Sequence, residues 1–119
     1  MAAPNIVNVA TINGNTAVGN VSTVAANLVT NSASSGKVFK INALYISNID
    51  SANSTSYSAS VSVFRGSVEY FIAKTITVPA DATLDVITKA VYLQEGDALR
   101  IGGSSNSAMQ AVCSYEEIS

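Results

Sequence analysis

The chain has 119 residues, 48% of them apolar and only 12% charged, with no His and a formal net charge of −2. A length of this order favours one domain that buries roughly two-thirds of its unfolded surface, so a core needs neither disulfide nor metal. The high apolar share argues against disorder, and six Lys and Arg against eight Asp and Glu leave no basic footprint for nucleic acid or anionic lipid.

The first residues lack the basic region and apolar run of a secretory signal, and no stretch reaches the length of a transmembrane helix. Residues 1–36 carry no charged side chain. Within them, residues 5–12 read as a strand with Val7 and Val9 on one face. A second strand is expected before residue 31. Val18, Val21, Ala25 and Leu28 would also fit one face of a helix, but Gly14, Gly19 and the Asn and Thr content argue against a stable one. By composition, residues 31–36 form a flexible connector.

Residues 37–49 are a long run rich in Val, Ile, Phe and Tyr, expected to be a central strand covered in part on both faces. A polar loop follows over residues 51–56. Tyr57, Ala59, Val61 and Val63 then alternate with Ser58, Ser60 and Ser62, the period of a half-buried strand. Arg65-Gly66-Ser67 is short enough for a tight hairpin, with Gly66 free to take positive φ. Residues 68–78 read as its partner strand, ended by Pro79-Ala80-Asp81.

Thr83 to Ile87 is a further strand, with Leu84 and Val86 on one face. Glu95-Gly96-Asp97 turns the chain between Leu93 and Leu99, and Leu99-Arg100-Ile101 is strand again. Gly102-Gly103-Ser104-Ser105-Asn106 is expected to separate it from a last strand over residues 108–118. Turns at short spacing with no amphipathic helix between them predict an all-β fold. The expected architecture is an antiparallel β-sandwich, jelly-roll-like, formed by residues 1–119 as a single domain.

The residues offer little chemistry. Without His, the commonest general base and metal ligand is missing. Cys113 is alone, so no internal disulfide can form, and its setting between Val112 and Ser114 predicts a buried, inert thiol. Glu95 and Asp97 are expected as solvated turn residues, and Glu116 and Glu117 as a solvated end. No loop has the carboxylate density of a calcium site. Gly102-Gly103 lacks the Lys-Ser/Thr of a phosphate loop. The five Tyr residues are dispersed, and no basic face accompanies them. A carboxylate-only glycosidase pair remains open, although there is no Trp to supply a sugar platform. The reading is a non-enzymatic protein with no cofactor and no metal.

Several segments resemble a family of small virion structural proteins of tailed bacteriophages, especially marine and cyanobacterial ones. They are Pro4-Asn5-Ile6-Val7-Asn8-Val9, Gly36-Lys37-Val38-Phe39-Lys40-Ile41-Asn42-Ala43-Leu44-Tyr45-Ile46 and Ile72-Ala73-Lys74-Thr75-Ile76-Thr77-Val78-Pro79-Ala80-Asp81-Ala82-Thr83-Leu84. Tyr92-Leu93-Gln94-Glu95-Gly96-Asp97 and Ser114-Tyr115-Glu116-Glu117-Ile118 complete the set. The resemblance spans most of the chain in order and implies a virion component, but it carries no functional residues.

With that resemblance, the lead expectation is a capsid decoration or cement protein, assembled in the host cytoplasm and placed on the capsid exterior. Its expected partners are the major capsid protein and further copies of itself, with no nucleic acid and no membrane. A tail, neck or fibre component is the alternative within this class, and a carbohydrate-binding host-attachment module the alternative outside it. The uncharged leading segment buries no ion, so Asn5, Ile6, Val7, Asn8, Val9 and Ile12 form the candidate docking strand. The same residues could instead be the first strand of the domain's own sheet, and both readings can hold together.

Overall fold

A computed structural model describes residues 10–50, 52 and 54–119. They form nine strands: β1 (Ile12–Asn20), β2 (Ala26–Thr30), β3 (Val38–Asn48), β4 (Tyr57–Arg65), β5 (Val68–Val78), β6 (Thr83–Asp85), β7 (Val91–Leu93), β8 (Ala98–Gly103) and β9 (Met109–Ile118). One sheet runs β1-β9-β3-β6, with β7 also paired to β3; the other runs β2-β8-β4-β5. Every pairing is antiparallel. The chain crosses between the sheets at every step except β4–β5 and β6–β7, so that β1 meets β9, β2 meets β8, β3 meets β6 and β7, and β4 meets β5. This is the jelly-roll winding of two Greek keys, with β6 and β7 sharing one strand position.

Between the sheets lies one core that includes Ile41, Leu44, Ile46, Val61, Leu99 and Met109. Inward residues of β4 are Tyr57, Ala59, Val61 and Val63, as the period-two pattern predicts. β3 departs from simple alternation for a local reason. Ile41 pairs with Tyr115 and Ala43 with Ser114, so Asn42 is an extra, bulged residue. Phe39 and Ile41 point inward before the bulge, and Leu44 and Ile46 after it. The phase shift explains why the run looked apolar on both faces. It also leaves Ala43, Tyr45 and Ser47 on the outer face.

Turn chemistry fits the local sequence. Gly66 and Ser67 both take positive φ, at 58° and 63°, joining Arg65 to its partner Val68. Two such residues in a two-residue loop match the right-handed twist of the flanking strands. Gly96, at φ 88°, closes a turn in which the Asp97 amide donates to the Gln94 carbonyl at 3.0 Å.

The N-terminal region differs from expectation. Of the proposed strand over residues 5–12, only Ile12 lies in a described strand, as the first residue of β1; Asn5 to Val9 fall outside the described residues. β1 instead runs through Gly14 and Gly19, which the polar, glycine-containing sequence concealed. Residues 31–36 are also no loose connector. Asn31 is fully buried, and its side-chain amide donates to the carbonyls of Lys37 and Leu93, both at 3.0 Å. Its oxygen accepts from the Ser35 hydroxyl at 2.6 Å.

Gly102 and Gly103 were expected in a loop but belong to β8. The reason is close packing. A Cβ on Gly103 would lie 2.7 Å from Met109 Cε and 2.8 Å from both the Ser58 carbonyl oxygen and Val21 Cγ1. Gly103→Ala should therefore cost about 1–3 kcal/mol through overpacking. Gly14→Ala, with nothing within 4 Å of the new methyl, should change stability by no more than about 0.5 kcal/mol. Urea unfolding of the two variants checks the contrast.

Candidate functional site

The two outer faces of the sandwich differ in charge. On the β2-β8-β4-β5 sheet, Arg100 is held in a network. Its guanidinium lies 3.6 Å from the Phe64 ring centroid, donates to Glu69 at 3.2 Å and reaches the Asn27 side-chain oxygen at 3.1 Å. A cation stacked and paired in this way is a finished surface feature.

The outer face of the other sheet is different. Strand register places Val18 of β1 opposite Val112 of β9, and Val112 opposite Tyr45 of β3. All three are solvent-exposed, at 71%, 40% and 43%. One side of this row is Thr16, Ser114 and Ala43; the other is Asn20, Gln110 and Ser47. Across β1, β9 and β3 these three rows carry no charge. Charge returns at Asp85, which pairs with Tyr45, and one row beyond at Glu116 and Lys40, whose side chains approach to 4.0 Å. An apolar row bordered by neutral polar rows can be covered without desolvating an ion.

This face ends at β1, an open edge. β1 pairs with β9 over nine consecutive residues without a bulge, from Ile12 opposite Ile118 to Asn20 opposite Gln110. It contains no charge and no proline. The edge strand β5 is built otherwise. Its register against β4 shifts twice, between Ala59 and Val61 and between Val61 and Ser62, with Thr75 at φ 58°. Glu69 and Lys74 lie along it. Bulges and charges of this kind blunt a sheet edge, and β1 has neither. Of the candidate docking residues, Ile12 therefore sits at one end of an open strand, 54% exposed. Val18, Val112 and Tyr45 were missed in the sequence because only strand register brings them together.

The candidate chemical groups are placed as follows. Asp97 is not a solvated turn residue but is buried. It receives Arg65 Nε at 2.8 Å, Arg65 Nη2 at 2.6 Å and the Gln94 amide at 2.8 Å. Glu95 accepts the Gly36 amide at 2.8 Å. Glu117 is not a free end either: it takes the Lys37 ammonium at 3.0 Å and the Asn15 side-chain amide at 2.8 Å. These carboxylates are turn and sheet fasteners. Among the described residues, no three His, Cys, Asp or Glu side chains converge on a metal-sized site. Cys113 is fully buried, and burial pushes its thiol up to about 11. The aromatic rings do not form a row, although Tyr70 and Tyr92 line one groove of about 350 Å³ with Val63, Arg65 and Val91.

No protein-family model and no curated protein matches the chain. Solved structures do. One is a subunit from the structure described as "Bacillus endospore appendages form a novel family of disulfide-linked pili", at 12% identity and a TM-score of 0.54, covering 92% of this chain and 87% of that one. At this identity the likeness establishes a shared all-β sandwich fold.

Burial alone would raise the Asp97 carboxyl, but the Arg65 hydrogen bonds, the Gln94 amide and the Arg65 charge outweigh it and hold the group below its ordinary value. A folded pKa below the unfolded one stabilises the fold at neutral pH, and this contribution disappears as pH falls through the folded value. Asp97→Ala should destabilise by roughly 2–4 kcal/mol at pH 7, with the half-exposed Arg65 partner limiting the loss. The deficit relative to the parent chain should shrink on acidification; denaturation midpoints at pH 7 and pH 3 test the sign.

Proposed function

We propose that this chain is a structural subunit of a larger assembly, most specifically a decoration protein on the exterior of a bacteriophage head. The observation that carries the assembly reading is the set of three uncharged central rows on the outer face of β1, β9 and β3, continuous with an unblunted strand edge. A patch without ions and with an exposed Val18-Val112-Tyr45 row suits repeated docking on a protein lattice. There, many individually weak contacts add by multivalency. The resemblance to tailed-phage virion proteins supports the choice of particle.

A filament subunit is the second reading, motivated by the fold shared with a pilus protein. That pilus is described as disulfide-linked. Here the sole cysteine is Cys113, on the core side of β9. A covalent link between subunits through this residue would require the core to open. Any filament of this chain would therefore be joined by something other than a disulfide through Cys113.

Two measurements test these readings. Quantitative mass spectrometry of purified particles should find the chain on heads in roughly hundreds of copies, as a shell lattice requires. Tyr45→Lys should abolish binding to heads while shifting stability by no more than about 0.5 kcal/mol. A dozen copies or fewer, or absence from heads, overturns the decoration reading. For Cys113, thiol labelling at pH 7.5 should be negligible in the folded protein and should track global unfolding. Fast labelling of the native protein would return disulfide linkage to consideration.

A further inference from the structure

The open edge of β1 has a definite hydrogen-bond phase. Thr11 and Ser119 exchange two backbone bonds, both at 2.9 Å, and the Val21 amide donates to the Met109 carbonyl at 3.0 Å. Both pairs keep the register in which Ile12 faces Ile118. Hydrogen-bonded and non-hydrogen-bonded pairs alternate along an antiparallel ladder. The odd residues of β1 thus point their N–H and C=O groups at β9. Ile12, Gly14, Thr16, Val18 and Asn20 point theirs away from it, and among the described residues β1 has no other strand partner.

We propose that β1 pairs antiparallel with β1 of a second copy about a two-fold axis at Thr16, joining two sandwiches through one continuous sheet. The proposal rests on reading the chain as an assembly subunit and names the first contact of that assembly. Three features of β1 favour a second copy as the occupant. The phase matches, because a two-fold at Thr16 sets Thr16 against Thr16, Gly14 against Val18 and Ile12 against Asn20. All of these are residues whose backbone groups point outward. The side chains match, because the exposed Val18 of one copy lies opposite Gly14 of the other, where there is no side chain to displace. The charges match, because the strand has none and like charges cannot meet across the axis.

By contrast, β5, one of the two outer strands of the other sheet, is bulged twice and carries Glu69 and Lys74. Pairing β1 with β5 of another copy would set a regular ladder against an irregular one.

Sedimentation velocity at roughly 10–100 μM tests the proposal, since a single-strand contact belongs to the small, weak size class. The expected species is a dimer. In it, the amides of Gly14, Thr16 and Val18 should exchange with solvent at least about tenfold more slowly than in a monomeric variant. Thr16→Pro removes an outward donor and leaves the β9 ladder intact, so it should weaken dimerisation at least about tenfold. Thr16→Lys and Thr16→Glu should each be monomeric alone and dimeric when mixed, because the two-fold places residue 16 opposite itself. Protection of the Ala17 amide in every variant shows that β1 remains on β9, so a failed fold is recognised directly.

A monomer at 100 μM overturns the proposal, as does a dimer insensitive to the charge changes at residue 16. A monomer that still coats phage heads overturns self-pairing and leaves the assembly reading standing. A dimer that binds no particle does the reverse.

Discussion

The buried carboxylate of Asp97 fastens one end of this sandwich. It sits in the β7–β8 turn, and its carbonyl accepts the amide of Asn31 at 2.9 Å. Its side chain holds Arg65, at the end of β4, by two hydrogen bonds. Asn31 in turn ties the segment after β2 to Lys37 and Leu93. Four chain segments thus converge on two polar side chains. A buried ion of this kind is tolerated only with its partners in place, so each contact depends on the others. The result is an end of the molecule that has one arrangement rather than several.

That knot also bears on the surface. Charge is scarce in this chain, and much of it is used within the fold. Arg65 is held by Asp97, Lys37 by Glu117 and Arg100 by Glu69. With these groups committed at the rim and on the opposite sheet, the central rows of the β1-β9-β3 face remain neutral. The asymmetry between the two faces follows from where the few ions pair. A different pairing could have left both faces dotted with solvated charge and neither suited to being covered.

Much of the architecture could be read from residue order. The period-two run from Tyr57 to Val63, the Gly66 turn and the apolar stretches of β3, β5 and β9 are local signals, and local signals survive without tertiary information. Three features could not be read this way. β1 hides behind Gly14, Gly19 and Asn because its strand state is set by pairing with β9, a hundred residues away. Glu95 and Asp97 look like ordinary turn acids until their partners are known, and Gly36 and Arg65 lie 59 and 32 positions off. Gly102 and Gly103 have loop composition, yet both are strand positions, and at Gly103 the Ser58 carbonyl, Val21 and Met109 approach too closely for a side chain. The Val18-Val112-Tyr45 row is invisible for the same reason as β1: it exists only in the register. Of the candidate docking strand, Ile12 alone can be placed, and it lies on the open edge.

The twin bulges of β5 have a consequence for how far any ladder built on β1 can extend. A contact across a two-fold axis uses the same patch on both molecules and saturates at two. Unlimited growth would require a second edge, differently placed, ready to accept the next strand. β5 is twisted out of that role, and β2, the other edge of its sheet, has five residues and a register shift between Asn27 and Val29. β6 and β7, on the far side of β3, have three residues each. Among the described strands β1 is thus the one long, regular edge, and a two-fold contact uses it up. Extension beyond a pair into a shell, a filament or a cross-β fibre then has no comparable second ladder and falls to side-chain contacts on the faces.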